Sequence, residues 1–174
     1  MERVIQVINR MKADGVVENY AIGGGIAAIY YLEPYQTDDI DIFIPVASVA
    51  AGEAGLISLE PIYGYLKGFG YFPSKEGVVI EDWLVQFIPT FEPMQEEAIA
   101  KARRVIFGET DTNIFTAEYL AAELLRSGRR KDHARVIDLL EGDHVDMKIF
   151  RELISRHGLV DKWKAFAKQF QLEE

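Results

Sequence analysis

The sequence predicts an α+β fold: a mixed α/β core over about the first 90 residues, followed by a mainly helical C-terminal region. Three observations carry this. A glycine triplet, Gly23-Gly24-Gly25, separates two apolar runs. Acidic and isoleucine residues alternate with period two from Asp39 to Ile44. After Pro93 the apolar spacing turns helical and stays so nearly to the end.

In order along the chain, Val4, Ile5, Val7, Ile8 and Met11 recur at helical spacing, and Gly15 lies where that helix would stop. Val16 to Ile22 is predicted as a strand, the three glycines as a tight turn, and Ile26 to Leu32 as a helix ended by Pro34. Thr37 and Asp38 lead into the strand Asp39 to Ile44, closed by Pro45. Val46 to Ser58 is small and glycine-containing, without a clear period. A helix beginning at Ser58 or Leu59, before Pro61, should end near Gly68 or Gly70.

Gly77 to Ile80 and Trp83 to Ile88 flank Glu81-Asp82, which suits a hairpin with an acidic turn, and Pro89 is expected to close its second strand. Gln95 to Ala102 reads as helix, Val105 to Phe107 and Asn113 to Phe115 as extended pieces. Thr116 is placed to cap a helix from Ala117 to about Ser127, with Gly128 as its stop. Arg129 to Leu140, Met147 to His157 and Val160 to Phe170 complete the helical part. The division is therefore a core over 1–92 and a helical region over 93–174 packed on it.

A chain of 174 residues is one domain by length. Hydrophobic residues at 49% and charged residues at 27% are globular proportions, which exclude disorder and a coiled coil. The absence of cysteine removes disulfide scaffolds, thiolate zinc sites and cysteine nucleophiles together. A net charge of -9 disfavours a nucleic-acid coat protein or a polybasic membrane binder. The charged first helix rules against a secretory apolar region there, and the uncharged stretch Tyr20 to Leu32 is shorter than the roughly 20 residues that span a bilayer, so a soluble, cytoplasmic protein is expected.

The stretch Ala21 to Ile44 carries the chemistry. Residues two apart on a strand share a face at about 6.6 Å of rise, so Asp39 and Asp41 point one way and Ile40, Ile42 and Ile44 into the core. Two carboxylates at an exposed strand end are hard oxygen ligands, suited to one or two magnesium (or manganese) ions that also accept phosphate oxygens. A glycine turn opening a helix lets backbone N–H groups approach a phosphate closely. Arg126, Arg129, Arg130, Lys131 and Arg135 form a local basic patch in an acidic chain, readable as a solvated helix face or as a phosphate contact. The histidines His133, His144 and His157 have no metal-ligand spacing, and the tryptophans and tyrosines read as core or groove lining.

These residues resemble the DNA polymerase beta-like nucleotidyltransferases, in particular small bacterial forms related to the abortive-infection (AbiEii-like) toxin nucleotidyltransferases. The family pattern is a hydrophobic residue, Gly, Gly or Ser, a helix, then Asp-hydrophobe-Asp. Ile22, Gly23, Gly24 (or Gly24, Gly25) and Asp39-Ile40-Asp41 stand in those places. The resemblance implies a short mixed sheet with helices on one face, and helices beyond about residue 93 as one wall of a groove. It implies magnesium on Asp39 and Asp41. It implies a nucleoside triphosphate on Gly23, Gly24, Gly25, Thr37, Lys131 and Arg135, with Lys131 in the family's Lys-Asp pair. The reaction implied is transfer of a nucleoside monophosphate to a hydroxyl or phosphate acceptor: a small molecule, a tRNA or a protein.

The family's third carboxylate belongs on a later strand, here Trp83 to Ile88, where the polar residue is the amide Gln86, a weak third metal position. Glu81 and Asp82 fall in the turn. The alternative is therefore a catalytically silent nucleotide- or partner-binding module, or an interaction protein of a toxin–antitoxin system.

Overall fold

The computed structural model describes residues 1–32, 36–51, 57–74 and 76–172. Its elements are α1 (Glu2–Ala13), β1 (Ala21–Ile22), α2 (Gly24–Tyr31), β2 (Asp39–Pro45), a 3-10 turn (Val46–Ser48), β3 (Ala50–Ala51), β4 (Ile57–Ser58), α3 (Glu60–Lys67), β5 (Val78–Ile80) and β6 (Trp83–Thr90). They continue with α4 (Pro93–Ala100), β7 (Arg103–Phe107), β8 (Thr110–Ile114), α5 (Ala117–Ser127), α6 (Arg130–Glu141), α7 (Met147–Arg156) and α8 (Val160–Phe170). No helix among the described residues is long and apolar enough to cross a membrane.

A six-stranded mixed sheet in the order β5-β6-β2-β1-β8-β7 forms the centre. The β2–β6 and β1–β8 pairs are parallel, and the other three pairs are antiparallel. The sheet therefore does not end with the first 92 residues: β7 and β8 return after α4 and join it beside β1, Ile22 pairing with Ile114. Ile40, Ile42 and Ile44 are buried on one face of β2 and Asp41 and Phe43 on the other, so at this strand the sheet is covered on both faces rather than one. Phe43 rests on Phe115 at 4.6 Å between ring centroids.

Three local outcomes differ from the sequence expectation. Only Ala21–Ile22 of the run from Val16 is strand. The amides before it are taken elsewhere: Gly15 and Val16 bond back to Lys12 and Met11 at the end of α1, and Glu18 N–H donates to Ser48 Oγ. Helix α2 starts at Gly24, two residues before Ile26, so two glycines belong to its first turn; it ends at an extended Leu32, and Pro34 lies outside the described residues.

Nor does Pro89 close β6. The strand runs on to Thr90, because β5 pairs β6 only as far as Val85 and leaves a free edge where a residue without N–H is tolerated. The Glu81-Asp82 turn has positive φ at both residues, 47° and 69°, which matches the right-handed twist of a two-residue hairpin. Thr116 is the N-cap of α5 without a side-chain hydrogen bond, and Gly128 closes that helix at φ 64°.

Candidate active site

The glycine turn and β2 fit together at backbone distance. Gly23 N–H donates to the Asp41 carbonyl at 3.0 Å. Gly24 has φ 53°, and a Cβ there would collide with the Asp41 carboxylate; one on Gly25 would collide with Thr37 Oγ1. A side chain at 24 is thus excluded both by backbone conformation and by space. Thr37 Oγ1 donates to Asp39 Oδ1 at 2.7 Å, which fixes the rotamer of that carboxylate.

Asp41 sits directly beside Gln86 in the β2–β6 register, on the same face. The two line a cleft of about 290 Å³ together with Gly24, Phe43 and Ile88 from the sheet side, and Gln95, Glu123, Leu124, Arg126, Ser127 and Arg129 from α4, α5 and the turn after it. The expectation that both acids occupy an exposed strand end is corrected here. Asp41 is 8% exposed, because α2 and the cleft wall close over it. Burial, reinforced by the neighbouring Asp39 charge, pushes its carboxyl up to about 6, with Arg129 and Lys131 pulling in the opposite direction. No hydrogen bond reaches the Asp41 side chain from any described residue.

This donor set suits a hard divalent cation in part. Asp39 and Asp41 offer carboxylate oxygens and Gln86 a neutral one, which leaves coordination positions for water and phosphate as magnesium and manganese favour. Among the described residues no cluster of three or more acids and histidines converges at a metal-binding distance.

The basic corner opposite is organised by a carboxylate. Asp132 is fully buried; it accepts from Ser127 Oγ at 2.7 Å, Arg129 Nε at 2.7 Å and Arg135 at 3.3 Å. Gly128 in the left-handed region turns the chain so that Ser127 and Arg129 reach back to one side chain. Arg129 then lines the cleft. Its guanidinium is held protonated: burial opposes this, but the Asp132 hydrogen bond and the charges of Asp132, Asp41 and Asp39 outweigh it. Lys131 is exposed and not part of the cleft lining, although its charge reaches Asp41; Arg135 is buried behind Asp132.

Sequence reasoning missed one group. Glu123 is buried on α5, accepting from Gln95 Nε2 at 3.1 Å and from Arg126 Nε and Nη2, both at 2.8 Å. A carboxylate between Leu120 and Leu124 on the apolar side of a helix was the available signal. Of the histidines, His157 bonds Glu97 at 2.8 Å and His133 packs edge-on against Phe166 and Phe170. Trp163 is core.

No family model and no curated protein matches the chain. Solved structures do. An antigenic nucleotidyltransferase-like protein from Paracoccidioides brasiliensis aligns over 94% of this chain and 92% of its own, with a TM-score of 0.52 and 15% identity. The antibiotic-resistance factor ANT(2'')-Ia aligns over 98% and 93%, with a TM-score of 0.46 and 18% identity. The Megavirus polyadenylate synthase aligns over 83% of this chain and 32% of its own, with a TM-score of 0.46 and 16% identity. Together with the six-stranded mixed sheet and its helices, the first of these places the chain in the nucleotidyltransferase fold.

Proposed function

We propose that this chain is a metal-dependent nucleotidyltransferase that moves a nucleoside monophosphate from a nucleoside triphosphate to a hydroxyl or phosphate acceptor. The observation that carries the reading is Asp41: a buried carboxylate beside Asp39, without a side-chain partner among the described residues, facing a cationic wall across a cleft. Burying a lone charge beside a like charge costs stability, and such an arrangement persists where a ligand uses it.

In this reading Asp39 and Asp41 hold magnesium or manganese, with Thr37 fixing Asp39 and Gln86 as a neutral third position. A bound ion would neutralise charge on the phosphates and orient them for in-line displacement. Gly24 lets the backbone of the α2 N-terminus approach the phosphate chain, and Gly23 and Gly25 keep the turn tight against Phe43 and Thr37. Arg129, set by Asp132, lines the phosphate side of the cleft, and Lys131 adds an exposed point charge beside it. Arg135 acts through Asp132. The Lys131-Asp132 pair is what supports the grouping with AbiEii-like toxins.

A second reading rests on Gln86. An amide occupies the position beside Asp41 where the resemblance puts a third carboxylate, so the chain could hold nucleotide without turning it over. Calorimetry with magnesium and each nucleoside triphosphate tests the site itself. The parent should bind and D39N/D41N should bind at least about tenfold more weakly, a difference of about 1.4 kcal/mol. Equal affinities reject the assignment of Asp39 and Asp41. Pyrophosphate release then separates the two readings: binding without turnover in the parent, with turnover gained in Q86D, selects the silent binder.

A further inference from the structure

Glu123 is an acid in the wrong company for a surface residue and in the right place for a reactive one. It projects from α5 between the buried Leu120 and Leu124, is 8% exposed, and lines the same cleft as Asp41 and Gln86. Its two oxygens are unequally occupied. Oε1 accepts from Gln95 Nε2 and from Arg126 Nη2, whereas Oε2 accepts only from Arg126 Nε. A carboxylate offers about four lone-pair directions, so one on Oε2 is left over, on a residue that lines the cleft. Across from it, the β6 position beside Asp41 carries an amide, which cannot take up a proton at neutral pH.

Resting on the nucleotidyl-transfer reading, we infer that Glu123 is the general base of the reaction, taking over from α5 the role that a β6 carboxylate at position 86 would otherwise fill. The acceptor hydroxyl donates its hydrogen bond to Glu123 Oε2. As its oxygen forms a bond to the α-phosphorus, the proton passes to Oε2. The bond from the α-phosphorus to the bridging oxygen breaks, and its electron pair leaves with pyrophosphate. The proton then returns to solvent through the open side of the cleft. The Arg126 clamp does not disqualify the carboxylate. Phosphoryl transition states are loose, the proton departs late, and an ordinary carboxylate suffices, as the catalytic-loop aspartate of protein kinases does for a substrate hydroxyl. The clamp fixes the one free lone pair in space, which general base catalysis needs more than high basicity.

The test measures pyrophosphate release from ATP, GTP, CTP and UTP in magnesium, with bulk transfer RNA, a protein pool and an aminoglycoside as acceptors, for the parent and Glu123→Gln. Calorimetric nucleotide affinity and Tm are measured alongside. The amide keeps the size of the side chain but not its proton affinity. The expected result is a fall in kcat of about 100-fold or more with nucleotide Kd within about threefold of the parent. A kcat within about threefold overturns the inference and leaves the transferase reading standing. Nucleotide affinity falling in step with kcat also overturns it, since a strut between α4 and α5 would do that. Should Glu123→Gln unfold, Glu123→Asp keeps the charge and withdraws the oxygen. A folded Glu123→Asp with reduced kcat and parental Kd supports the role, and full turnover overturns it. A parent that binds nucleotide but releases no pyrophosphate with any acceptor overturns both this role and the transferase reading.

Discussion

Asp132 and Asp41 are both buried aspartates within one site, and they are treated in opposite ways. Asp132 is surrounded by donors: Ser127, Arg129 and Arg135 all bond to it, and it ties the turn after α5 to the start of α6. Asp41 has the Asp39 charge beside it, Gly24 pressed against it and no donor among the described residues, and its carboxyl is pushed up to about 6 by burial and that neighbour. A buried carboxylate whose acceptor sites are filled is a structural joint. One whose sites are kept empty at a cost to stability is kept for a ligand.

If this contrast is right, the two residues answer the same substitution with opposite signs. Asp132→Asn leaves Arg129 and Arg135 without their shared charge, and breaking a buried ion pair from one side costs about 3–5 kcal/mol. For a chain of this size that lowers Tm by roughly 10 °C. Nucleotide binding should weaken as well, because Arg129 loses its anchor. A calorimetric scan in which Asp132→Asn melts within about 2 °C of the parent would remove the joint from the account.

Asp41→Asn is expected to do the reverse, at a smaller size. Its folded carboxyl titrates above the ordinary value of 3.8, so holding it ionised at neutral pH costs stability; removing the charge should return roughly 1–3 kcal/mol and raise Tm by about 5 °C. The same variant should lose magnesium-dependent nucleotide affinity. Stability gained with binding lost is the pattern of a functional residue that strains its fold. A Tm that falls would show that the Asp41 carboxylate has a structural partner after all.

Much of this was legible in sequence because it is local. Period-two alternation placed Asp39 and Asp41 on one face, the same rule on β6 put Gln86 opposite Val85 and Phe87, and three glycines before a helix announced a close backbone approach. What escaped depended on distant packing. That Asp41 is buried follows from α2 and α4 packing on the strand, and no period within Asp39–Ile44 encodes it. Glu123 gains meaning only because α5 turns that face toward β2. The basic patch was visible as a run of cations, but its centre, the buried Asp132, is defined by the left-handed turn at Gly128 that folds Ser127 and Arg129 onto one carboxylate. β1 is shorter than the apolar run from Val16 suggests because the amides after α1 go back to the helix end and to Ser48.

A third carboxylate, Glu97, is partnered as Asp132 is. Glu97 on α4 receives Lys101 at 2.9 Å, Arg156 at 2.8 Å and His157 at 2.8 Å, joining α4 to the end of α7. Burial alone would raise its carboxyl, but the hydrogen bonds from Lys101, His157 and Tyr119 and the Arg156 charge overcome that and hold it at about 2, against an ordinary 4.5. A folded value below the unfolded one means that the stabilisation is fully present above about 4.5 and disappears as pH falls toward about 2. Because the side chain is 25% exposed, solvent screening trims the effect to roughly 1–2 kcal/mol. Stability of the parent and Glu97→Gln, measured by urea unfolding from pH 7 down to pH 2, should therefore differ by that amount near neutrality and converge in acid. The difference curve isolates this one group from every other carboxylate that titrates over the same range. Parallel curves would mean that Glu97 is no better held in the folded chain than in the unfolded one, and that a cluster of cations around a carboxylate is not enough to make it a joint.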